Sequence, residues 1–322
     1  MTDIEQLPTV LYIACESRSG STLLDQLLGS SEGGISVGEM RQLRGYALNS
    51  YEMCGFKGRE YPLVCTCGEY LETCAFWSAV EKRSGLNFKQ TTFKSIAGVS
   101  VRRLVQVTYL LFGVVGLRLL GRISPAVKKE LIIGENCFRV YNSIGVVADK
   151  KYIIDSSKAI YQYILLRATC PKRVKLILLY RDGRAVSYSM SRGARAARVW
   201  NGPRESWFLQ AVQHWVKTNK VIRSFARKTP SSDKVEVRYE DICRDPIFGI
   251  NKIEVSLGVN TGKRDETLQK HGKHNIGGSP SRFDLERSVV RCDDKWKKLL
   301  NPSELEQFRE VAGSLNDKLG YR

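Results

Sequence analysis

Apolar and polar positions near the N-terminus follow an order that predicts a strand and then a helix. Residues 9–15 form a short apolar run with β-branched side chains, which predicts a buried strand. Small and polar residues follow, and leucines at positions 23, 24, 27 and 28 then have helical spacing. Strand, short loop and helix in this order predict the opening of a βαβ unit.

The same alternation returns after residue 150. Strands are predicted at residues 152–155, 174–180 and 234–238. Helices are predicted at residues 159–167, 183–191 and 207–225. A capping box of Ser303 and Glu306 behind Pro302 predicts a final helix to about residue 319. This alternation predicts an α/β fold of three layers, α/β/α, with a mostly parallel central sheet.

Residues 45–148 lack this alternation and predict a helical, cysteine-containing insertion within one domain of residues 1–322. Inside it, residues 104–117 carry no charge, but this run is shorter than the roughly 20 residues that span a bilayer. It predicts a buried or amphipathic helix. A peripheral membrane helix over residues 104–123, with basic flanks, is the alternative.

The chain is strongly basic. Its 322 residues include 51 Lys and Arg against 33 Asp and Glu, a net charge of +18, and 43% are hydrophobic, which excludes a disordered chain. The charge predicts an anionic partner: nucleic acid, an acidic membrane, an acidic polymer or a phosphate-rich cofactor. The Lys and Arg residues are dispersed and no nucleic-acid-binding motif is present, so specific nucleic-acid binding is not expected.

Cysteine usage and the N-terminus indicate a location. Nine cysteines, an odd number spread along the chain, favour a reducing compartment over a disulfide framework. Residues 1–9 do not resemble a signal peptide, so a cytoplasmic location is expected, with peripheral membrane attachment as the alternative.

Four cysteines lie close together in sequence, but their spacing assigns no metal. Structural zinc, a local disulfide and free thiols all stay open, because the C-x-C spacing differs from the usual C-x2-C of a zinc knuckle. His271 and His274 have no third ligand nearby in sequence, so no metal pair is expected there, and His214 is predicted to be structural. The clustered cysteines are Cys54, Cys65, Cys67 and Cys74.

Residues 15–22 occupy the position of a phosphate-binding P-loop. Small residues let backbone N–H groups converge on an anion, beside the positive N-terminus of the next helix. Gly20 and Thr22 match the pattern G-x-x-x-x-G-K-[ST], but Ser21 replaces the Lys that contacts the β/γ-phosphates of a nucleoside triphosphate. Arg18 supplies a cation inside the loop instead. A nucleotide kinase or NTPase therefore stays only as an alternative.

A second anion site is predicted where the most apolar strand ends. Arg181 follows residues 174–180, and Ser189 lies two helical turns further on, so both side chains are placed to hold one phosphate. Ligands of open α/β sheets lie at the carboxyl ends of the strands. Two such sites predict a ligand with two separated anionic groups.

Here the sequence resembles the sulfotransferases that use 3′-phosphoadenosine 5′-phosphosulfate (PAPS). Residues 17–22 resemble their 5′-phosphosulfate loop, in the Arg form of carbohydrate and protein-tyrosine sulfotransferases, and Arg181 with Ser189 resembles their 3′-phosphate element. The likeness runs from residue 10 to the C-terminus and is weakest over residues 86–148. The cofactor-binding residues that it implies are Ser17, Arg18, Ser19, Gly20, Ser21, Thr22, Arg181, Ser189, Tyr239 and Arg282.

The resemblance implies in-line transfer of a sulfuryl group to an acceptor hydroxyl, with positioning and charge stabilisation as the main sources of catalysis and no required metal. Arg18 would hold the reacting oxygens. Glu39 is the candidate base, with a helix cap or an ion pair to Arg41 as its alternative roles. Lys158 would contact the sulfuryl group or leaving oxygen, unless it is a solvated helix-start residue.

Two residues from the later part of the chain complete the implied site. Arg282 would reach the 3′-phosphate, and Tyr239 would lie near adenine, unless it belongs to the core. The favoured acceptor is a carbohydrate or glycolipid hydroxyl, with protein tyrosine and small phenols as alternatives. The charge left over in residues 102–129, in residues 192–204 and in the predicted loop at 258–295 favours an acidic or membrane-presented acceptor. The sequence carries no signal for the oligomeric state.

Overall fold

Five parallel strands form the centre of this structure, a computed structural model that describes residues 7–54, 62–263, 274–283 and 290–322. The strand order within the described residues is β2-β3-β1-β4-β5. The strands are β1 (Thr9–Ala14), β2 (Gly34–Gly38), β3 (Tyr152–Lys158), β4 (Val174–Tyr180) and β5 (Lys234–Arg238).

Both faces of the sheet are buried, which explains why the central strands are continuous apolar runs. Along β1, Val10 and Tyr12 pack into one hydrophobic cluster, whereas Leu11 and Ile13 pack into another on the opposite face. The predicted α/β fold with three layers and a mostly parallel sheet is confirmed.

Helices cover the sheet on both faces. Helices α1 and α11 contribute to the smaller cluster, and α5, α6, α9 and α13 contribute to the larger one. The described helices are α1 (Ser21–Gly29), α2 (Leu43–Ala47), α3 (Ala75–Ser84), α4 (Val99–Ile123), α5 (Pro125–Ala148), α6 (Ile160–Thr169), α7 (Gly183–Ser191), α8 (Gly193–Val199), α9 (Trp207–Ala226), α10 (Tyr239–Arg244), α11 (Pro246–Leu257), α12 (Trp296–Leu299) and α13 (Pro302–Lys318).

The start of α13 differs from the predicted capping box. Asn301, not Ser303, caps this helix: its side chain accepts from the Glu304 backbone N–H at 2.9 Å. The Glu304 carboxylate accepts in return from the Asn301 N–H at 3.2 Å. Pro302 explains the shift, because a residue without an N–H and with a fixed φ suits the first helical position.

The predicted insertion is helical where the structure describes it. It contributes α3, α4 and α5, and its Trp77 and Phe93 belong to the same hydrophobic cluster as Val10 and Tyr12. Part of the loop predicted at residues 258–295 lies outside the described residues, His271 included. Its described segment at residues 274–283 runs along the end of β2, where Ile276 bridges to Gly38.

Helix α4 is longer and more exposed than expected. It has 25 residues and a non-helical break at Gly113 (φ 63, ψ −152). By length and composition it could cross a membrane, and only 22% of its most apolar stretch of 18 residues is buried inside the structure. Val105 and Tyr109 pack inward, whereas Phe112 and Val115 are each 68% exposed. The prediction of a buried or amphipathic helix therefore holds for the face that packs on the domain, and the opposite apolar face is exposed.

Candidate active site

A cavity of about 720 Å³ opens at the carboxyl ends of the strands. Its lining includes the loop after β1, Glu39 after β2, Lys158 at the end of β3 and Arg181 after β4. The cavity volume falls within the range of about 300–1,000 Å³ that is usual for ligand pockets. The predicted site residues that line it are Ser17, Arg18, Gly20, Ser21, Thr22, Glu39, Lys158, Arg181 and Tyr239.

The loop before α1 depends on Gly20. This residue has φ +90, and a Cβ built on it would lie 2.3 Å from Cδ2 of Tyr239. Arg18 also has a positive φ, of 70, which is uncommon for a residue with a side chain. Tyr239 therefore packs against the loop, where it is 7% exposed. It belongs to the smaller hydrophobic cluster and also lines the cavity, and its place near adenine stays a prediction.

Arg18 connects the two predicted anion elements. Its Nε donates to Oγ of Ser189 at 2.8 Å, and its carbonyl oxygen accepts from Nη1 of Arg181 at 2.8 Å. The Arg181 guanidinium also lies 4.5 Å above the Tyr239 ring. The sequence predicted two anion sites at these strand ends, and in the structure hydrogen bonds join the residues that define them. Ser189 and the buried Ser19 do not themselves line the cavity.

Arg181 is held by more than one partner and still has an unused donor. Its Nη2 donates to the backbone oxygen of Asp293 at 2.7 Å and lies 3.2 Å from an Asp293 carboxylate oxygen. Its buried Nε has no hydrogen-bond partner among the described residues. Because a buried donor without a partner is costly, this atom favours a bound acceptor group beside it.

Glu39 and Lys158 form an ion pair between the ends of β2 and β3. Their side chains are 12% and 17% exposed. Burial alone would raise the pKa of Glu39, but the Lys158 ammonium, with a smaller contribution from Arg41, outweighs burial and lowers that pKa. Lys158 is therefore not a solvated helix-start residue. The ion-pair partner of Glu39 is Lys158, and Arg41 contributes only its charge nearby.

Arg282 lies outside the cavity. It is 1% exposed, and its Nη2 donates to the Tyr46 hydroxyl at 3.0 Å and, at 3.4 Å, to the Val64 carbonyl. In this structure the side chain points into the described part of the insertion. It does not line the cavity with Arg181, so its contact with a 3′-phosphate stays a prediction.

Three further cavity residues were not predicted to belong to the site. His214 was predicted to be structural, yet its side chain is 46% exposed in the cavity and its Nε2 lies 3.1 Å from a Glu16 carboxylate oxygen. Lys217 and Arg291 also line the cavity. His214 and Lys217 are three positions apart in α9, so they share one helix face. That spacing was the available signal, but only the packing of α9 shows which way the face points.

A cluster of sulfur and nitrogen atoms lies next to the active site. Cys65, Cys67 and Cys74 meet His274, and their ligand atoms all lie within 4.8 Å of one another. Cys54 is buried elsewhere, beside Gly45. The expectation that His274 has no further ligand nearby is wrong, because the fold brings it to cysteines about two hundred positions away.

Comparisons with known proteins agree with this geometry. A family model described as "Sulfotransferase family" matches residues 10–262. Carbohydrate sulfotransferase 5 from Mus musculus is 26% identical over 166 residues, which are 46% of this chain and 42% of that protein. The match therefore spans less than half the length of this curated relative.

Two solved structures have the same fold. The sulfotransferase domain of the Synechococcus PCC 7002 olefin synthase is 20% identical, with 100% of this chain and 98% of that chain covered and a TM-score of 0.57. The sulfotransferase domain from the curacin biosynthetic pathway is 17% identical, with 98% and 99% covered and a TM-score of 0.51.

Proposed function

The chain belongs to the sulfotransferase family, and from this we propose that it transfers a sulfuryl group from PAPS to an acceptor hydroxyl. The observation that carries the proposal is the contact between the two anion elements. The Arg18 loop is joined by hydrogen bonds to Arg181 and Ser189. Arg18 and Arg181 line a cavity that also contains the Glu39–Lys158 ion pair.

The donor would use both anion elements. We assign the phosphosulfate end to the loop before α1, where backbone N–H groups and the helix N-terminus favour an anion. The 3′-phosphate is assigned to Arg181 and Ser189, and the unpartnered Nε of Arg181 supports this. Ser21 in place of the P-loop lysine supports PAPS over a nucleoside triphosphate.

The reaction proposed here exchanges one sulfur–oxygen bond for another. The acceptor oxygen attacks sulfur, the bond from sulfur to the phosphate oxygen breaks, and the acceptor proton passes to the Glu39 carboxylate. Negative charge builds on the leaving phosphate oxygen, and the cations of Arg18 and Lys158 are available to stabilise it. The lowered pKa of Glu39 supports a deprotonated carboxylate at neutral pH.

A second cavity supports an anionic acceptor. It has a volume of about 650 Å³ and shares Arg41, Tyr161 and Lys217 with the first cavity. Its lining residues include five cations and no carboxylate. A sulfated or carboxylated carbohydrate, or an anionic lipid, would match this charge. The five cations are Arg41, Lys94, Arg102, Arg103 and Lys217.

The exposed face of α4 favours an acceptor presented at a membrane surface. Leu111 and Ile123 are 64% and 80% exposed, and the same helix begins beside the second cavity through Val99, Arg102 and Arg103. Since its inner face packs on the domain, α4 is placed to lie in the membrane interface rather than to cross it. We propose that it seats the enzyme on an anionic membrane.

Binding of adenosine 3′,5′-bisphosphate, the released product, tests the donor assignment. Calorimetric titration should show binding of this nucleotide to the wild type and much weaker binding of ATP. Arg181→Ala removes charge-assisted hydrogen bonds worth about 1.5–3 kcal/mol each, so affinity should fall at least about tenfold. Arg244→Ala, on an arginine with a 77% exposed side chain, is the control. Equal binding by Arg181→Ala and the wild type would refute the assignment.

A further inference from the structure

The sulfur and nitrogen cluster beside the active site joins two distant parts of the chain. Cys65, Cys67 and Cys74 come from the described part of the insertion, and His274 comes from the segment at residues 274–283. Nδ1 of His274 lies 3.5 Å from Sγ of Cys65 and 3.4 Å from Sγ of Cys74. The sulfur atoms of Cys67 and Cys74 are 3.5 Å apart.

These separations match the edges of a metal-centred tetrahedron. Zinc bonds of about 2.3 Å to sulfur and about 2.0–2.1 Å to nitrogen give edges of about 3.8 Å between sulfurs and about 3.6 Å between sulfur and nitrogen. The closest pairs in the cluster, at 3.4 to 3.5 Å, are within a few tenths of an ångström of those edges.

Local backbone geometry brings two of the sulfur atoms together. Gly68, with φ +95, makes the tight turn between the first two cysteines and Glu69. The Gly68 N–H donates to the Cys65 carbonyl at 2.9 Å, and the Cys65 N–H donates to the Glu69 carbonyl at 2.8 Å.

The imidazole is also held in place. Its ring stacks on Phe76 with the ring centres 4.4 Å apart and an angle of 9° between the planes. Its backbone oxygen accepts from Nε1 of Trp77 at 3.0 Å. The orientation that points Nδ1 at the sulfurs is therefore fixed by packing from outside the cluster.

We propose that Cys65, Cys67, Cys74 and Nδ1 of His274 form a structural zinc site. Three thiolates and a neutral imidazole complete four-coordinate zinc and leave no open position, which is the pattern of structural rather than catalytic sites. Binding releases the protons of those cysteines that are still thiols. This Cys₃His set differs from the four-cysteine cluster in the sequence, because Cys54 is not part of it.

The site holds an active-site wall in place. Next to His274, the backbones of Asn275 and Thr66 are hydrogen-bonded at 3.2 Å. Ile276 then receives a hydrogen bond from the Glu39 N–H at 2.7 Å, and Ser279 donates its N–H to Oγ1 of Thr22 at 3.2 Å. Zinc therefore anchors the segment that supports both Glu39 and the phosphate loop.

Metal analysis of the full-length wild type, purified under reducing conditions without chelator, is the test. We expect one zinc per chain by inductively coupled plasma mass spectrometry. Cys54→Ser, a matched change at a buried cysteine outside the cluster, should keep that zinc, and Cys74→Ser should lose it. Since metal loss is expected to destabilise Cys74→Ser, Co²⁺ exchange into the wild type is the second measurement. Tetrahedral Co²⁺ with thiolate ligands should give intense visible absorption and ultraviolet charge-transfer bands.

Two results would overturn the proposal. One is wild-type protein that carries only trace metal and gives no tetrahedral cobalt spectrum. The other is a deficit of two free thiols in denatured protein that was purified without reductant, a deficit that is lost in Cys67→Ser, which would show a disulfide at Cys67 in place of the metal. Neither readout uses sulfuryl transfer, so a failure of this site and a failure of the proposed function are distinguishable.

Discussion

The Lys158 ammonium contacts the Glu39 carboxylate across the ends of two neighbouring strands. Lys158 adopts φ 68, a left-handed conformation that is rare for a residue with a side chain. Strained residues of this kind concentrate at functional sites, where the surrounding structure holds them in place. The pair puts a carboxylate and a cation side by side in the cavity, the two groups that the proposed transfer uses.

Glu39→Gln should remove the base and keep the shape of the site. We expect kcat to fall by about 100- to 10,000-fold, the usual contribution of a general base. Binding of adenosine 3′,5′-bisphosphate should stay within about twofold, because the amide is isosteric and the phosphate contacts remain. Steady-state kinetics and calorimetry check this. An unchanged kcat would show that another group accepts the proton.

Lys158→Met should move the acid limb of the pH–rate profile to higher pH. In the wild type the Lys158 charge holds the pKa of Glu39 below its usual value, so kcat/KM should stay level until the pH falls below the ordinary carboxyl range. Without that charge, burial raises the pKa of Glu39 and the carboxylate becomes protonated at higher pH. A profile with an unmoved acid limb would contradict the pairing.

The strands and the phosphate loop were predictable because their signals are local. Continuous apolar runs set the sheet, and the small residues around Gly20 set the loop. The sequence could not predict the direction of the Arg282 side chain or the approach of His274 to Cys65. Each depends on how the insertion packs against a segment far away in sequence. For α4 the sequence left a buried or amphipathic helix and a peripheral membrane helix open, since an apolar run alone does not tell which of its sides packs.

Asp25 gives the fold a dependence on pH. Burial raises the pKa of this helix α1 carboxyl to about 8, although a hydrogen bond from Ser36 opposes the shift. In the unfolded chain the group titrates near its ordinary value, so the folded state holds an extra proton between about pH 4 and 8. As the pH rises across that range, the free energy of unfolding should therefore fall by up to about 1.4 kcal/mol for each pH unit.

Asp25→Asn should remove this dependence. The amide oxygen takes over as acceptor for Ser36 and Asn275, which both donate to the Asp25 carboxylate. Urea unfolding at pH 6 and pH 9 should show the variant more stable than the wild type at the higher pH, with the difference shrinking as the pH falls. If the difference in unfolding free energy between the variant and the wild type is the same at pH 6 and pH 9, Asp25 is not protonated in the folded state.

The outer face of α4 should bind anionic vesicles. Co-sedimentation with phosphatidylglycerol vesicles should exceed that with phosphatidylcholine vesicles, because basic residues flank the helix. A variant with Leu111→Ser, Phe112→Ser and Val115→Ser should lose most of this binding without unfolding, since all three side chains are more than 60% exposed. Val255→Ser, at an 83% exposed valine on α11, is the control. If the triple variant binds vesicles as the wild type does, charge alone accounts for the association.

Transfer of labelled sulfur tests the central claim most directly. Purified protein would be incubated with sulfur-labelled PAPS and a panel of neutral, carboxylated and sulfated oligosaccharides, glycolipids in anionic vesicles, a tyrosine peptide and a small phenol. We predict label on an anionic carbohydrate or glycolipid, release of adenosine 3′,5′-bisphosphate in equal amount, and loss of both in Glu39→Gln. If the wild type neither binds PAPS nor turns it over, and instead binds ATP tightly, that result contradicts the account.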